Sequence, residues 1–386
     1  MYLDRIIPFT MPTKIIHGFG STRQIPEECK RIGIKKAILV TDEGLVKAGG
    51  IKEITAILEG ARIPYAVFDK VEEDPCTKTV HEGEKLRQEE GCDGVIIVGG
   101  GSPLCAGKGI AVLATNGGKI EDYAGKERFK VVPLPVIGIP TTAGSGSEVS
   151  PTFLLINEEK RTRFAISSDL GYPRTAILDP YLLRSLPPRQ ALWSSLDALS
   201  HAVEALFTNL STPFTDAIAL RAIQMMSRNL VPAAFTDNMA AKSEQLLASA
   251  MANTACGNAK LGLVHAFSDP LGNLRLPHGL ACGLMLPFVM EYNLPSSKAK
   301  FAEMAVALGE KPDQPEDALA NKALERVKNL YVEIHFPTRV TEKEVPRDKL
   351  DQVIKEAAAA SQMRSNVRRT NEQDLRWIME RAYAGF

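Results

Sequence analysis

The sequence predicts an α/β domain, with a doubly wound and mainly parallel sheet, followed by an all-helical domain. Two observations carry that prediction. Over the first ~185 residues, short apolar runs alternate with segments of helical spacing, the rhythm of strand–helix–strand units. From Gln190 onward nearly every long segment instead repeats with the period of an α-helix. The change of period divides the chain into residues 1–185 and 186–386.

In the first half, KKAILVTD (35–42), PYAVFD (64–69), GVIIVGGG (94–101) and VIGIP (136–140) read as buried strands ending at Gly, Pro or Asp. Residues 51–61, 79–90 and 104–113 between them have helical spacing. Two shorter runs, PTFLLIN (151–157) and TAILDP (175–180), are expected to add a hairpin or an edge. Pro187 and Pro188 mark a helix start, since the first helical turn does not need their missing N–H. Helices are then expected over 190–207, 215–230, 240–256, 296–308, 316–333, 348–361 and 371–383, with no strand among them.

Composition narrows the function classes. In 386 residues, 46 Lys and Arg balance 46 Asp and Glu, so the basic excess of a nucleic-acid binder is absent. Hydrophobic residues at 45% supply sizeable cores, and no run has the length of a membrane span. The six cysteines are scattered without a CxxC pair, which fits a reducing cytoplasm better than a disulfide framework. The opening MYLDRIIPFTMPTKIIHG lacks the apolar centre of a secretion leader.

Three segments carry chemistry. GVIIVGGGSP places Gly100, Gly101 and Ser102 between a strand and a helix, where free N–H groups and the helix dipole suit a pyrophosphate. It is not GxGxxG, and a tight turn alone would also use these residues. IPTTAGSGSEVSP (139–151) is rich in hydroxyls and glycine. Two such loops after strands of one sheet would meet at its carboxyl edge, where ligands bind in open α/β folds. The third is a set of Asp and His residues. SSLDALSHAVEA puts Asp197 and His201 four apart on one helix face, and LGLVHAFSDPLGNLRLPHG adds His265, Asp269 and His278. One carboxylate with three imidazoles suits Fe²⁺ or Zn²⁺ better than Ca²⁺ or Mg²⁺. No cysteine stands in a ligand pattern beside them, which disfavours a closed structural zinc site. A surface Asp–His pair and satisfied core histidines are the plainer alternative. His17, His81 and His335 have no assigned role.

In order along the chain, MPTKIIHGFGS, VTDEGLVKAGG, GCDGVIIVGGGSP, IPTTAGSGSEVSP, TAILDP, LDALSHAVEA, LPHG and SNVRRTNEQDLRWIMERAYAG resemble the iron-containing (group III) alcohol dehydrogenases over almost the full length. The resemblance implies a dehydroquinate synthase-like architecture: an NAD-binding α/β domain, a helical metal-binding domain, and an active site in the cleft between. It implies that Asp197, His201, His265 and His278 hold Fe²⁺, or Zn²⁺ or another divalent ion. It further implies that Gly100, Gly101 and Ser102 meet the NAD(P) pyrophosphate, that Thr141, Thr142 and Ser150 form the second cofactor loop, and that Leu182 lines the adenine and ribose. Asp42 matches the acid at the adenosine ribose and would repel a 2′-phosphate, so NAD(H) is favoured over NADP(H). The implied reaction is hydride transfer between NAD(H) and a small primary alcohol or its aldehyde, in the cytoplasm, by a homodimer or higher homo-oligomer, without nucleic-acid or membrane partners.

The chain also departs from the family pattern. Many members read HAMAH where this chain reads HAFSD, so Asp269 replaces a second His and is expected to act with His265 in catalysis, as base, solvent relay or substrate contact. The stretch from His265 to His278 is one residue shorter than usual. Asp74 stands for a common Asn and Arg163 for a frequent Lys, both still expected to bind the cofactor, and Cys105 stands for a common Asp after the glycine turn. The competing readings are a same-fold NAD-binding lyase, a hydroxyacid or diacid reductase, and a non-catalytic cofactor-binding relative.

Overall fold

The computed structural model describes residues 6–159 and 162–386. Residues 1–5, part of the stretch read above for a leader, lie outside the described residues. The chain forms two compact units that divide between Pro187 and Pro188, with the described residues up to Thr10 grouped with the second.

The first unit contains β1 (Lys14–His17), α1 (Ile25–Ile32), β2 (Ala37–Val40), α2 (Glu43–Lys47), α3 (Lys52–Gly60), β3 (Tyr65–Phe68), α4 (Thr77–Glu90), β4 (Gly94–Gly99) and α5 (Gly101–Asn116). It continues with β5 (Gly125–Lys126), β6 (Val136–Pro140), β7 (Thr152–Asn157), β8 (Thr162–Ser167) and β9 (Thr175–Leu178). Six strands make one parallel sheet in the order β1-β9-β6-β4-β2-β3. Every residue of β2, β4, β6 and β9 is buried, because helices cover both faces, and this explains their uninterrupted apolar runs. The chain moves outward from β2 to β3 and then back past β2 to β4, so strand order reverses between β2 and β4.

One expectation needs correcting. TAIL is not an edge: β9 lies inside the main sheet between β1 and β6. All four of its residues are buried, Thr175 included, as befits a strand covered on both faces, and the following Asp179–Pro180 ends it. PTFLLIN does form a hairpin, antiparallel to β8, in a separate sheet ordered β5-β8-β7.

The second unit is helical: α6 (Pro188–Leu206), α7 (Pro213–Phe235), α8 (Met239–Ala259), α9 (Leu263–Asn273), α10 (His278–Asn293), α11 (Lys298–Ala307), α12 (Glu316–Glu333), α13 (Leu350–Ala359) and α14 (Glu372–Ala384). Local chemistry sets several ends. Pro188 opens α6, Thr212 caps α7 ahead of Pro213, and Asn371 accepts from the Gln373 and Asp374 N–H groups at the start of α14. Periodicity missed α9 and α10 as complete helices. Both are buried on nearly all sides, so no polar stripe marks a period, and Pro270 and Pro287 lie inside them. No described helix is long and apolar enough to cross a membrane.

A candidate metal centre and a glycine-rich sheet edge

The helical unit gathers the Asp and His residues. Asp197, His201 and Glu204 lie on α6 at spacings of four and three, which places them on one face. His265 sits in the first turn of α9 and His278 is the first residue of α10. The Nε2 atoms of His265 and His278 each lie 3.5 Å from Asp197 Oδ1, and that of His201 lies 3.8 Å away. The rings of His201 and His265 stack with centroids 4.7 Å apart. Asp197 is only 4% exposed, and its Oδ1 has no hydrogen-bond partner. A buried, unpartnered carboxylate oxygen is costly, so its surroundings invite a cation. At usual coordination lengths, an oxygen and a nitrogen on one tetrahedral ion stand about 3.3 Å apart. The observed separations are too long for hydrogen bonds and close to that spacing. The donor set therefore fits a borderline divalent ion.

Glu204, which the sequence reading left out, organises this cluster. Its Oε2 lies 2.6 Å from His265 Nδ1, and its Oε1 accepts from the Val264 N–H at 2.6 Å. The second bond satisfies one free N–H of the first turn of α9, whose preceding residue, Gly262, has no side chain to do so. Space is tight there: a Cβ on Gly262 would come within 3.0 Å of Glu204 Oε1. With Oε2 accepting from Nδ1–H, Nε2 is the ring nitrogen turned towards Asp197 and the one that would bind an ion. The signal was available, since Glu204 continues the Asp197–His201 stripe by one further turn.

Cys282 was also missed, and here the expectation of no nearby cysteine is corrected. It lies one turn after His278 on α10, fully buried, with Sγ 3.7 Å from the Nε2 atoms of both His265 and His278. Among the described residues, Asp197, His265, His278 and Cys282 form a group whose ligand atoms all lie within 4.8 Å of one another. A four-residue His–Cys spacing on one helix is not a CxxC pair.

The electrostatics are those of a compact charge knot. Burial opposes the Asp197 carboxylate, but His201, His278 and His265 hold it well below the usual carboxylate range. Burial pushes His201 down to about 4 against the pull of Asp197. For His265 and His278 burial is outweighed, first by Cys282 and then by the neighbouring carboxylates, and both are raised. The Cys282 thiol is lowered, because His278 and His265 overcome its burial. The His278 side chain is 33% exposed while those of Asp197, His201 and His265 are nearly closed off, so solvent reaches the cluster on the His278 side.

Asp269 follows His265 by one turn of α9 and is half-buried. It is not among the grouped ligand atoms. In the link between the two histidines, Arg275 takes a left-handed φ of 69°, where the chain turns from α9 into α10.

The α/β unit assembles a different kind of site. Asp42, Gly100–Ser102, Thr141–Thr142 and Leu182 follow the carboxyl ends of β2, β4, β6 and β9, four adjacent parallel strands. The Gly100 turn follows β4, at the reversal of strand order, where open α/β sheets bind ligands. Gly100 and Gly101 open α5 and let the second loop approach: a Cβ on Gly100 would lie 3.3 Å from Thr142 Cγ2, and one on Gly101 3.4 Å from Ser145. Thr141 N–H donates to the Gly99 carbonyl at 3.0 Å. Ser102 Oγ accepts from the Asp74 N–H at 3.2 Å, and Asp74 pairs with Arg163. Asp74, Gly100, Gly101, Ser102, Thr141, Thr142 and Arg163 are thus linked. Asp42 caps α2 through Leu45 N–H at 2.8 Å, and Leu182 belongs to the core cluster that holds Ile51 and Ile139.

Ser150 joins the loop through a third residue missed in the sequence, Lys108. This lysine is 2% exposed, and its Nζ donates to the carbonyls of Ser147 (3.0 Å), Ser150 (3.1 Å) and Thr152 (2.7 Å) and to Ser147 Oγ (2.7 Å). It bolts the hydroxyl-rich loop to α5. Burial brings its amine down to about 8 and pushes the buried Glu148 carboxyl up to about 7. A single lysine inside the apolar stretch PLCAGKGIAVL was its signal.

Comparison with known proteins places both units. Residues 12–180 match the family described as iron-containing alcohol dehydrogenase, and residues 191–383 match the C-terminal part of the Fe-containing alcohol dehydrogenase family. The 1,3-propanediol dehydrogenase of Klebsiella pneumoniae is 36% identical over 385 residues, covering 98% of this chain and 99% of that protein. The NAD-dependent methanol dehydrogenase of Bacillus methanolicus is 32% identical over 377 residues, covering 97% and 99%. A crystal structure of 1,3-propanediol oxidoreductase superposes with a TM-score of 0.95 at 35% identity, covering 98% of this chain and all of that one. With both units matched and named dehydrogenases similar along the whole length, the chain belongs to the iron-containing alcohol dehydrogenase family and is an oxidoreductase.

Proposed function

We propose that this enzyme transfers hydride reversibly between NAD(H) and a short-chain alcohol or diol and its aldehyde, and that Asp197, His201, His265 and His278 hold the divalent ion, Fe²⁺ or Zn²⁺. One observation carries the reading: three imidazole Nε2 atoms converge on the buried, unpartnered Oδ1 of Asp197. Substrate class is supported by relatives named for 1,3-propanediol and methanol. When bound, the ion supplies Lewis acidity towards the substrate oxygen, and the nicotinamide accepts or gives the hydride.

The chain's own residues do the positioning. Glu204 fixes the tautomer and ring angle of His265. The start of α5 at Gly100–Ser102, with Thr141, Thr142 and Ser150, holds the cofactor diphosphate through N–H and hydroxyl donors. The Asp74–Arg163 pair borders the same turn. Asp42 meets the adenosine ribose, where its charge disfavours a 2′-phosphate, and Leu182 lines the adenosine side. Asp269, one turn after His265 on α9, would relay the substrate's hydroxyl proton to solvent in the oxidation direction. A cytoplasmic homodimer completes the reading. All six cysteines are free, and β1 is an edge strand of the main sheet among the described residues.

The test is metal analysis combined with NADH oxidation by a panel of short aldehydes. Purified protein is expected to carry about one divalent ion per chain. Chelation should abolish turnover, and Fe²⁺ or Zn²⁺ should restore it. Full turnover by metal-free protein would refute the proposal.

A further inference from the structure

We propose that a cavity at the amino-terminal edge of the main sheet, between Arg31 and Arg174, is a second small-molecule site. Its ligand is a small organic oxyanion, a carboxylate or a phosphate monoester on a flat apolar body. Pro135 leads into β6 and Arg174 into β9, whereas the glycine turn and the hydroxyl-rich loop follow the opposite, carboxyl ends of β4 and β6. Binding at this edge therefore stands apart from the proposed reaction.

Space is the first ground. The cavity measures about 330 Å³ and is lined by Arg31, Ile32, Pro133, Pro135 and Arg174. That volume lies within the range of small-molecule pockets and exceeds what a bare inorganic anion needs. Ile32 and the two prolines make an apolar wall. A neighbouring hollow that shares Pro133 and Arg174 extends it with the exposed Val132 and Leu170. An apolar body thus has a surface to lie on.

Charge is the second ground. Arg31, in the last turn of α1, is already aimed: its Nε donates to Glu28 Oε2 at 2.8 Å and its Nη2 to Thr175 Oγ1 at 2.8 Å. Those bonds occupy one side of the guanidinium, and its Nη1 has no partner among the described residues. Arg174 differs. Its N–H donates to the Val136 carbonyl at 2.9 Å and its carbonyl accepts from the Lys14 N–H at 3.2 Å, so its backbone is pinned to β6 and β1. Yet among the described residues its guanidinium has neither a hydrogen bond nor an ion pair. Glu28 is already shared by Lys14 and Arg31, so three cations surround one carboxylate. A guanidinium fork matches carboxylate and phosphate oxygens in pairs and stays charged across the physiological range.

Rigidity is the third. Two prolines fix φ along the wall, and the Pro135 carbonyl accepts from the Val95 N–H of β4 at 3.0 Å. A wall held in this way loses little freedom when a ligand arrives. Because Ile32 and the prolines offer no side-chain donor, the oxyanion is held by the two arginines.

The experiment uses full-length protein saturated with NADH, so that the cofactor edge is occupied. Benzoate, phenyl phosphate, inorganic phosphate and uncharged benzamide are titrated by calorimetry. Saturable binding of benzoate or phenyl phosphate is expected, and the tighter of the two identifies the anion. Inorganic phosphate should bind about ten-fold more weakly than phenyl phosphate for want of an apolar body, and benzamide should not bind. Arg174→Gln should weaken the better probe by about ten-fold or more, and Arg174→Lys should recover only part of the loss, since lysine lacks the fork. Lys35→Gln, which removes an exposed charge outside the cavity, should bind as the native protein does. Hydrogen–deuterium exchange on the native protein, which needs no variant to fold, should slow in segments 130–137 and 172–178 when the probe is added. Absence of binding by both organic anions, equal affinity in the native protein and Arg174→Gln, or protection confined to other segments would overturn the proposal. Benzamide binding as tightly as benzoate would overturn the role of charge, and inorganic phosphate binding as tightly as phenyl phosphate the role of the apolar wall. Metal content and NADH affinity of Arg174→Gln should equal those of the native protein, so the proposed function stands or falls separately.

Discussion

The helical unit and the α/β unit build their candidate sites by opposite means. In the helical unit, chemistry resides in side chains from α6, α9 and α10 that converge on one carboxylate oxygen. Backbone geometry matters only to aim them. In the α/β unit the glycine turn and its neighbouring loop present small residues and N–H groups at strand ends, and the side chain that matters most, Lys108, makes its bonds to carbonyls. A side-chain site fails when one donor is mis-aimed. A backbone site fails when the loop is no longer held. Each therefore depends on a buried ionisable residue of its own, Glu204 or Lys108, and exchanging each in turn separates them.

The largest effect is expected at Glu204. In Glu204→Gln the amide oxygen can still accept from Val264 N–H, but its NH₂ would face His265 Nδ1. That nitrogen must then accept, and the ring proton moves to Nε2, the atom aimed at Asp197. Metal affinity should fall by about 10- to 100-fold, the usual cost of losing such an outer partner. NADH affinity, measured by fluorescence titration, should stay unchanged. A Glu204→Gln protein with native metal affinity would remove Glu204 from the positioning of His265.

Lys108→Met should give the converse. Methionine keeps the unbranched stem but leaves the Ser147, Ser150 and Thr152 carbonyls without their shared donor. Unsatisfied buried acceptors cost about 1–3 kcal/mol of stability. With the loop loosened, the Kd for NADH should rise by about ten-fold, as one lost hydrogen-bonded contact of 1–1.5 kcal/mol would give. Metal content should be unaffected. If metal and NADH affinity fell together in either variant, the two sites would not be separable as described.

The same contrast explains what was legible in the sequence. Asp197 and His201 are on one helix turn, so their spacing alone placed them together. The glycine turn was visible because a strand, three glycines and a helix follow in order. Tertiary partners were harder: Glu204 continues a stripe already noticed but has no metal-ligand spacing of its own, and Lys108 finds its acceptors about forty residues away in the chain. Cys282 pairs with no other cysteine in the sequence, and only the helix turn it shares with His278 brings it to the cluster. The interior position of β9 was hidden for another reason. A four-residue apolar run looks alike at the edge and at the centre of a parallel sheet, and only its pairing with both β1 and β6 decides between them.

The smallest expected effect concerns a third kind of buried charge, one that holds the sheet and touches neither site. Glu28 of α1 accepts from Lys14 of β1 at 2.5 Å, from Arg31 Nε at 2.8 Å and from Thr175 of β9 at 2.7 Å. Burial alone would raise its carboxyl, but the Arg31, Lys14 and Thr175 bonds bring it down to about 2. A carboxyl lowered in the folded state adds stability above its unfolded value of about 4.3, and that contribution disappears as pH falls through about 2. Lys14 and Arg31 are each about half exposed, so solvent screening limits the gain to about 1–2 kcal/mol. Urea unfolding of Glu28→Gln should therefore show a loss of that size at pH 7, and a shallower decline than the native protein on acidification below about pH 4.5. Metal and NADH affinities should match the native protein at neutral pH. A parallel acid decline in both proteins would mean that Glu28 is not the group linking this sheet to pH.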